Sequence, residues 1–143
     1  MKDKSYEIIE HTADIGIKVH GKDLKELFLN GAAAMFDIMA EKKPISGTRD
    51  LTSESIIIEQ TANNLEELLV SWLNELLSLS ATKGLIFNKF KIDRIDKNNL
   101  KAKISGEDIK NYKINTEIKA ATYHELKIGN KNSGYDAEVI LDV

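Results

Sequence analysis

Residues 64–106 decide the fold. They read "NLEELLVSWLNELLSLSATKG" and then "LIFNKFKIDRIDKNNLKAKISG", and the spacing of the apolar residues changes between the two halves. In the first half Leu65, Leu68, Leu69, Trp72, Leu73, Leu76 and Leu77 fill an i, i+3, i+4 stripe, the pattern of an amphipathic helix. Asn64 stands at the N-cap, with Glu67 in the capping-box position. After Gly84 the period falls to two. "LIFNKFKIDRI" and "NLKAKISG" alternate as strands, and "DKNN" between them reads as a hairpin turn.

The flanking sequence extends this reading. Tyr6 to His11 and Ile15 to Val19 read as short strands. "GKDLKELFLNGAAAMFDIMAEKK", residues 21–43, reads as a helix capped by Asp23 with Glu26 completing the box. Lys42 and Lys43 suit its C-terminus, and Pro44 stops it. "EKKPISGTRD" is a loop, and Ser55 to Gln60 is a strand. "INTEIKAATYHELKIG", the turn "NKNSG" and the strand "YDAEVILDV" complete the chain, with a last hairpin over Glu125 to Asp142. The order β-β-α-β-α followed by about four strands predicts an α+β fold. Two main amphipathic helices would pack on one face of a curved, mostly antiparallel sheet, in one domain spanning residues 1–143.

Composition narrows the function. The chain has 143 residues, enough to bury a substantial core without staples. It has no Cys, which excludes disulfides and thiolate catalysis. The first residues have no apolar signal core and no 18-residue apolar run occurs, so a cytoplasmic protein with no membrane partner is expected. A net charge of -3 and a pI near 5.7 disfavour independent RNA binding, although a local basic patch is compatible with them. There is no P-loop, no GxGxxG, no readable Ser-His-Asp set and no aromatic-basic RNA motif.

Two acids at the ends of apolar strands are out of character. Asp14 precedes Ile15, Ile17 and Val19, and Asp142 follows Val139, Ile140 and Leu141. An unpaired charge at the end of a buried strand is costly. Pairing of the first and last strands would bring Asp14 alongside Asp142 and the carboxyl group of Val143. Carboxylates held together repel unless a cation joins them, and hard oxygen ligands favour Ca²⁺ or Mg²⁺ over zinc. The plainer alternative has Asp14 bonding turn amides and Asp142 protruding into solvent. Lys119, between Ile118 and Ala120, either points outward or meets an anionic group. His11 and His124 have no second His at helical spacing and read as packing or hydrogen-bonding residues. Trp72 reads as core.

"HTADIGI", "NLEELLVSWLNELL", "EIKAATYHEL" and "VILDV", in this order and spacing, resemble the archease family over essentially the whole chain. The resemblance implies a small α+β accessory protein that assists the GTP-dependent tRNA-splicing RNA ligase. Such a protein promotes guanylylation of the ligase, restores multiple turnover, can broaden nucleotide use, and catalyses no covalent step itself. It further implies a metal site at Asp14, Asp142 and Val143, occupied by a divalent cation such as Ca²⁺, and suggests partner-facing roles for Lys119 and His124. Direct RNA binding would be weak or indirect. One departure is that many relatives carry a His shortly after "GE", where this chain has Asn111, Tyr112 and Lys113. Another is that the second Ala of "KAATYH" replaces a larger aliphatic residue. The competing readings are an RNA-binding or chaperone-like module and, more remotely, a metal-dependent hydrolase.

Overall fold

The structure, a computed structural model, describes residues 5–10, 14–44, 53–122, 128–131 and 134–143. The expected helices form at both places. They are α1 (Leu24–Met39) and α2 (Leu65–Lys83), and both begin in the same way. Asp23 Oδ1 accepts from the Glu26 amide at 2.8 Å, and Asn64 Oδ1 accepts from the Glu67 amide at 2.8 Å. The glutamates reach back one residue beyond the cap, to the amides of Lys22 and Asn63. Helix α2 ends on Gly84, whose φ of 65° is the left-handed conformation that glycine adopts without a Cβ penalty.

Ten strands complete the described fold. They are β1 (Tyr6–Glu10), β2 (Asp14–Gly21), β3 (Ala40–Lys42), β4 (Ile56–Thr61), β5 (Leu85–Ile95), β6 (Asn99–Asp108), β7 (Tyr112–Ile114), β8 (Ala120–Thr122), β9 (Ile128–Lys131) and β10 (Gly134–Asp142). All pairings are antiparallel, and the strands divide among three sheets. The five-stranded sheet runs β1-β2-β10-β8, with β9 also on β10. A three-stranded sheet runs β4-β6-β5, and β3 pairs with β7.

Two boundaries differ from expectation. Helix α1 stops at Met39, and Ala40 to Lys42 form strand β3 rather than a last helical turn and loop. The reason is tertiary: Lys42 is drawn to Glu107, 65 residues away. The turn expected over Asn130 to Gly134 is shorter, because β9 runs on to Lys131 and β10 begins at Gly134.

Both helices pack on the inner faces of the two larger sheets. Ile17, Val19, Val139 and Leu141 supply one face, and Ile58, Phe87, Ile92, Ala102 and Ile104 the other. Trp72 is core, as its stripe predicts, with no solvent exposure. Its Nε1–H donates to the Phe28 carbonyl at 3.0 Å, joining α2 to α1. The Trp72 ring meets Phe90 edge-on at 6.4 Å, and Phe36 contacts both Phe87 and Phe90. These rings fasten both helices to β5. At the far end of the five-stranded sheet, Gly134 has φ of 141°, and a Cβ there would lie 2.2 Å from the Gly21 carbonyl oxygen. Only glycine permits β10 to start there.

Candidate functional site

Strand β10 pairs with β2 along the whole of β2, and this register builds the site. Ile17 and Val19 alternate inward with Val139 and Leu141, so the residues between them face the other way. Directly opposite pairs on that outer face are His20 with Asp136, Lys18 with Glu138, Gly16 with Ile140, and Asp14 with Asp142. The first two pairs are complementary. His20 Nδ1 lies 2.9 Å from Asp136 Oδ1, with both side chains about half exposed (51% and 46%). The last pair sets two acids against each other, and opposed like charges on facing strands are destabilising. The structure thus brings together two residues that the sequence separates by most of its length. Asp142 is exposed, while Asp14 is half-buried with its Oδ1 screened from solvent.

Lys119 sits at the same corner. Its amide donates to the Asp142 carbonyl at 2.8 Å, and Ala120 is the register partner of Asp142. Ile118 is buried and Lys119 exposed, so this lysine points outward at the edge of the acidic pair. A residue not singled out in the sequence fixes this strand. Asn74 of α2 donates through Nδ2 to the Ala121 carbonyl at 2.9 Å and accepts from the Ala121 amide at 2.8 Å through Oδ1. Its only sequence signal is a polar amide beside the apolar stripe. Ala121 is 3% exposed, so the departure from a larger residue at this position leaves a tight contact with α2. Val143 follows Asp142 and is exposed. His11 and His124 lie outside the described residues.

Among the described residues, no three Asp, Glu, His or Cys side chains converge as a metal cluster. The donor set at this corner is two facing carboxylates plus main-chain oxygen. It fits a hard divalent cation in chemistry and charge, and it does not suit zinc.

A second polar centre was not read from the sequence. Glu107 is 3% exposed. Its Oε2 accepts from Lys42 Nζ at 3.0 Å and from Asn88 Nδ2 at 2.8 Å, and Asn111 and Tyr112 approach at 3.4 Å each. Lys42, above all, holds the carboxyl below the usual glutamate range against the opposing effect of burial. Asn111 and Tyr112 are therefore partners of this acid, while Lys113 pairs with Glu41 at 4.0 Å. The hydrogen bonds of Glu107 tie β3, β5, β6 and β7 together, which is a structural role. Tyr6, whose hydroxyl donates to Asp37, links β1 to α1 in a similar way. Burial first, and then that bond, push its phenol up to about 12.

Comparison with known proteins agrees with this architecture. The chain matches the model of the archease protein family over residues 6–143. It is 39% identical to protein archease of Methanosarcina barkeri, covering 98% of this chain and 97% of that one. Protein archease of Sulfurisphaera tokodaii is 34% identical, with 98% and 99% covered. The solution structure of Methanobacterium thermoautotrophicum protein 1598 superposes with a TM-score of 0.75 at 34% identity, covering 99% of this chain and 100% of that one. An archease from Thermotoga maritima, described as a possible chaperone, shares the fold with a TM-score of 0.63 at 24% identity and 94% coverage of both. The sequence motifs, the strand register that unites them, and a family match from β1 to the last residue all agree: the chain belongs to the archease family.

Proposed function

We propose that this protein is a non-enzymatic accessory factor of a GTP-dependent tRNA-splicing RNA ligase, promoting guanylylation of the ligase and its multiple turnover. The family assignment supports an accessory role. The observation that carries the finer reading is the meeting of three separate motifs at one corner. Asp14 of β2, Lys119 beside β8 and Asp142 of β10 are held at adjoining positions at one corner of the sheet, with Lys119 and Asp142 exposed. Residues so placed can be read by a partner protein without any pocket of their own.

The proposal includes a divalent cation, Ca²⁺ by the hardness of its ligands, held by Asp14, Asp142 and Val143. When bound, it supplies positive charge that can meet a nucleotide phosphate or an acidic group of the ligase. Lys119 adds a cation at the rim, and His124 is assigned to the partner-facing side by its motif alone. No helix among the described residues is long and apolar enough to cross a membrane.

The test is multiple-turnover RNA joining with limiting ligase, with and without this protein, alongside radiolabelled guanylylation of the ligase. Wild-type protein should raise both. Asp142→Ala should fold normally by circular dichroism and fail to raise either. Normal activation by that variant would remove the cation mechanism and leave the accessory role standing. No activation by wild type would remove the ligase reading.

A further inference from the structure

The outer face of the β4-β6-β5 sheet carries an accumulation of cations that the acidic composition conceals. Core residues alternate inward along these strands: Ile58 on β4, Phe90 and Ile92 on β5, and Leu100, Ala102 and Ile104 on β6. Between them, Lys89, Lys91 and Arg94 of β5 and Lys101 and Lys103 of β6 share the opposite face. Extra residues at Asn88 and Asp93 shift the register of β5 so that this alternation holds along both strands. Lys91 lies directly opposite Lys103, and Arg94 directly opposite Lys101. Lys89, Lys91, Arg94 and Lys103 are exposed, and the Lys101 side chain is 36% exposed.

Little on this face neutralises them. Glu59 of β4 reaches Lys101 at 3.8 Å, and among the described residues no carboxylate forms an ion pair with Lys91 or Lys103. Asp96, at the hairpin tip, feels the charge of Arg94, and its carboxylate also accepts from the amides of Asn98 and Asn99, each at 2.8 Å. Those two bonds, first among its influences, hold it below the usual aspartate range. Like charges directly opposite on neighbouring strands cost stability. A chain with a net charge of -3 nevertheless sets two such pairs side by side.

We infer that this sheet face binds the phosphate backbone of RNA. The reasons are chemical. Same-face neighbours along a strand are about 6.6–6.8 Å apart and adjacent strands about 4.8 Å apart, so the cations form a flat array. An array of equivalent positive charges fits a ligand that repeats one negative charge along its length. Four of the five are lysines, compact point charges on flexible stems that respond to charge more than to planar geometry. An acidic protein surface would favour arginine forks, which pair with carboxylates in a planar, bidentate way. No aromatic side chain stands among these outward residues to stack a base. Binding is therefore weak, independent of sequence and strongly dependent on salt. Towards the hairpin tip the array borders an open cleft of about 520 Å³, where Arg94, Asn99 and Lys101 meet the carboxylates of Glu59 and Asp96, so the phosphate path is set by the lysines farther along the strands. This surface is formed by different strands from those carrying Asp14 and Asp142, so it stands or falls apart from the ligase proposal.

The experiment is fluorescence anisotropy of a labelled single-stranded oligouridylate titrated with the full chain at several salt concentrations. Each phosphate contact on a single strand contributes about -0.7 to the slope of log K against log salt, so five contacts give about -3.5. Affinity should fall about a hundredfold between about 50 and 200 mM salt. Lys91→Gln/Lys103→Gln should reduce the slope to about -2.1, and Arg94→Gln/Lys101→Gln should do the same. Lys91→Gln/Lys103→Gln removes an opposed like-charge pair and should fold at least as stably as wild type by circular dichroism, and Arg94→Gln/Lys101→Gln, which also gives up the Glu59 contact, should stay folded. Lys25→Gln/Lys83→Gln, on the exposed sides of the helices, should leave the slope unchanged. Absence of binding at about 50 mM salt, or slopes that the sheet-face variants do not alter, would overturn the inference. So would variants that lose binding to polyglutamate while keeping their affinity for RNA, since that would assign the face to an acidic protein.

Discussion

Replacing Asp142 with Asn tests the facing acids directly. In the folded protein Asp14 and Asp142 are register partners on one sheet face, where opposed Cβ atoms lie about 5 Å apart. Two unit charges at about 5 Å in water interact by about 0.8 kcal/mol, the upper part of the 0.2–1 kcal/mol range for cross-strand pairs. Asp142 is exposed and Asp14 half-buried, so the aqueous value is the lower end of the repulsion. Unfolding entropy of about 2.1 cal/mol/K per residue gives about 0.3 kcal/mol/K for this chain, so relief of the repulsion should raise Tm by about 2–3 °C in chelator. Cation binding reverses the order. At a hundredfold excess over Kd, a ligand that binds only the folded state adds about 2.7 kcal/mol, or about 9 °C. A tenfold loss of affinity in Asp142→Asn would remove about 1.4 kcal/mol of that, about 4–5 °C. The assay is differential scanning calorimetry of both proteins, first with EDTA and then across a calcium titration. A variant that melts lower than wild type in EDTA would refute the repulsion. One that gains as much as wild type from calcium would refute the shared cation.

Three further outcomes are expected. Trp72→Ala should lose about 3–5 kcal/mol in urea unfolding, because a fully buried ring is replaced by a cavity; full stability with lost ligase activation would instead make Trp72 a contact residue. Gly134→Ala should destabilise by several kcal/mol or prevent folding, since its Cβ would meet the Gly21 carbonyl at 2.2 Å in a backbone conformation that L side chains rarely adopt; a Tm within 2 °C of wild type would show that the strand start can shift. Glu107→Gln should cost about 1–3 kcal/mol near neutral pH. The carboxyl is held down in the folded state, so its contribution is present above the unfolded value of about 4.3 and fades as pH falls below it. The gap between wild type and variant should therefore close on the acid side, and a gap constant with pH would contradict the charge argument.

What was legible depended on how local the cause was. Both helix starts were readable because caps and stripes act within a few residues, as Asn64 and Glu67 do. The hairpin of β5 and β6 was readable from its period and turn. Even the alignment of Asp14 with Asp142 followed from two apolar runs ending in acids, once those strands were paired. The end of α1 was misplaced because Lys42 looks like a helix-terminal cation when its partner, Glu107, arrives on a strand far along the chain. Asn74 was passed over because an amide in a helix announces nothing until β8 lies against it. The cation array was hidden because alternation tells which residues share a face, not which face the helices leave open.

The pairing of β2 with β10 also governs when the molecule becomes complete. Asp14 and Asp142 are 128 positions apart, and at about 5–20 residues per second a ribosome takes about 6–25 s to make the intervening chain. Through that interval β2 has β1 as its sheet partner, and its other edge stays open as a template for wrong pairing. Closing so long a loop also slows folding relative to a helical protein of this size. The last strand is thus at once the centre of the sheet and the carrier of half the acidic pair. A product terminated before β10 would carry neither a closed sheet nor both acids, so interrupted synthesis should not yield a half-working molecule that competes for the same partner.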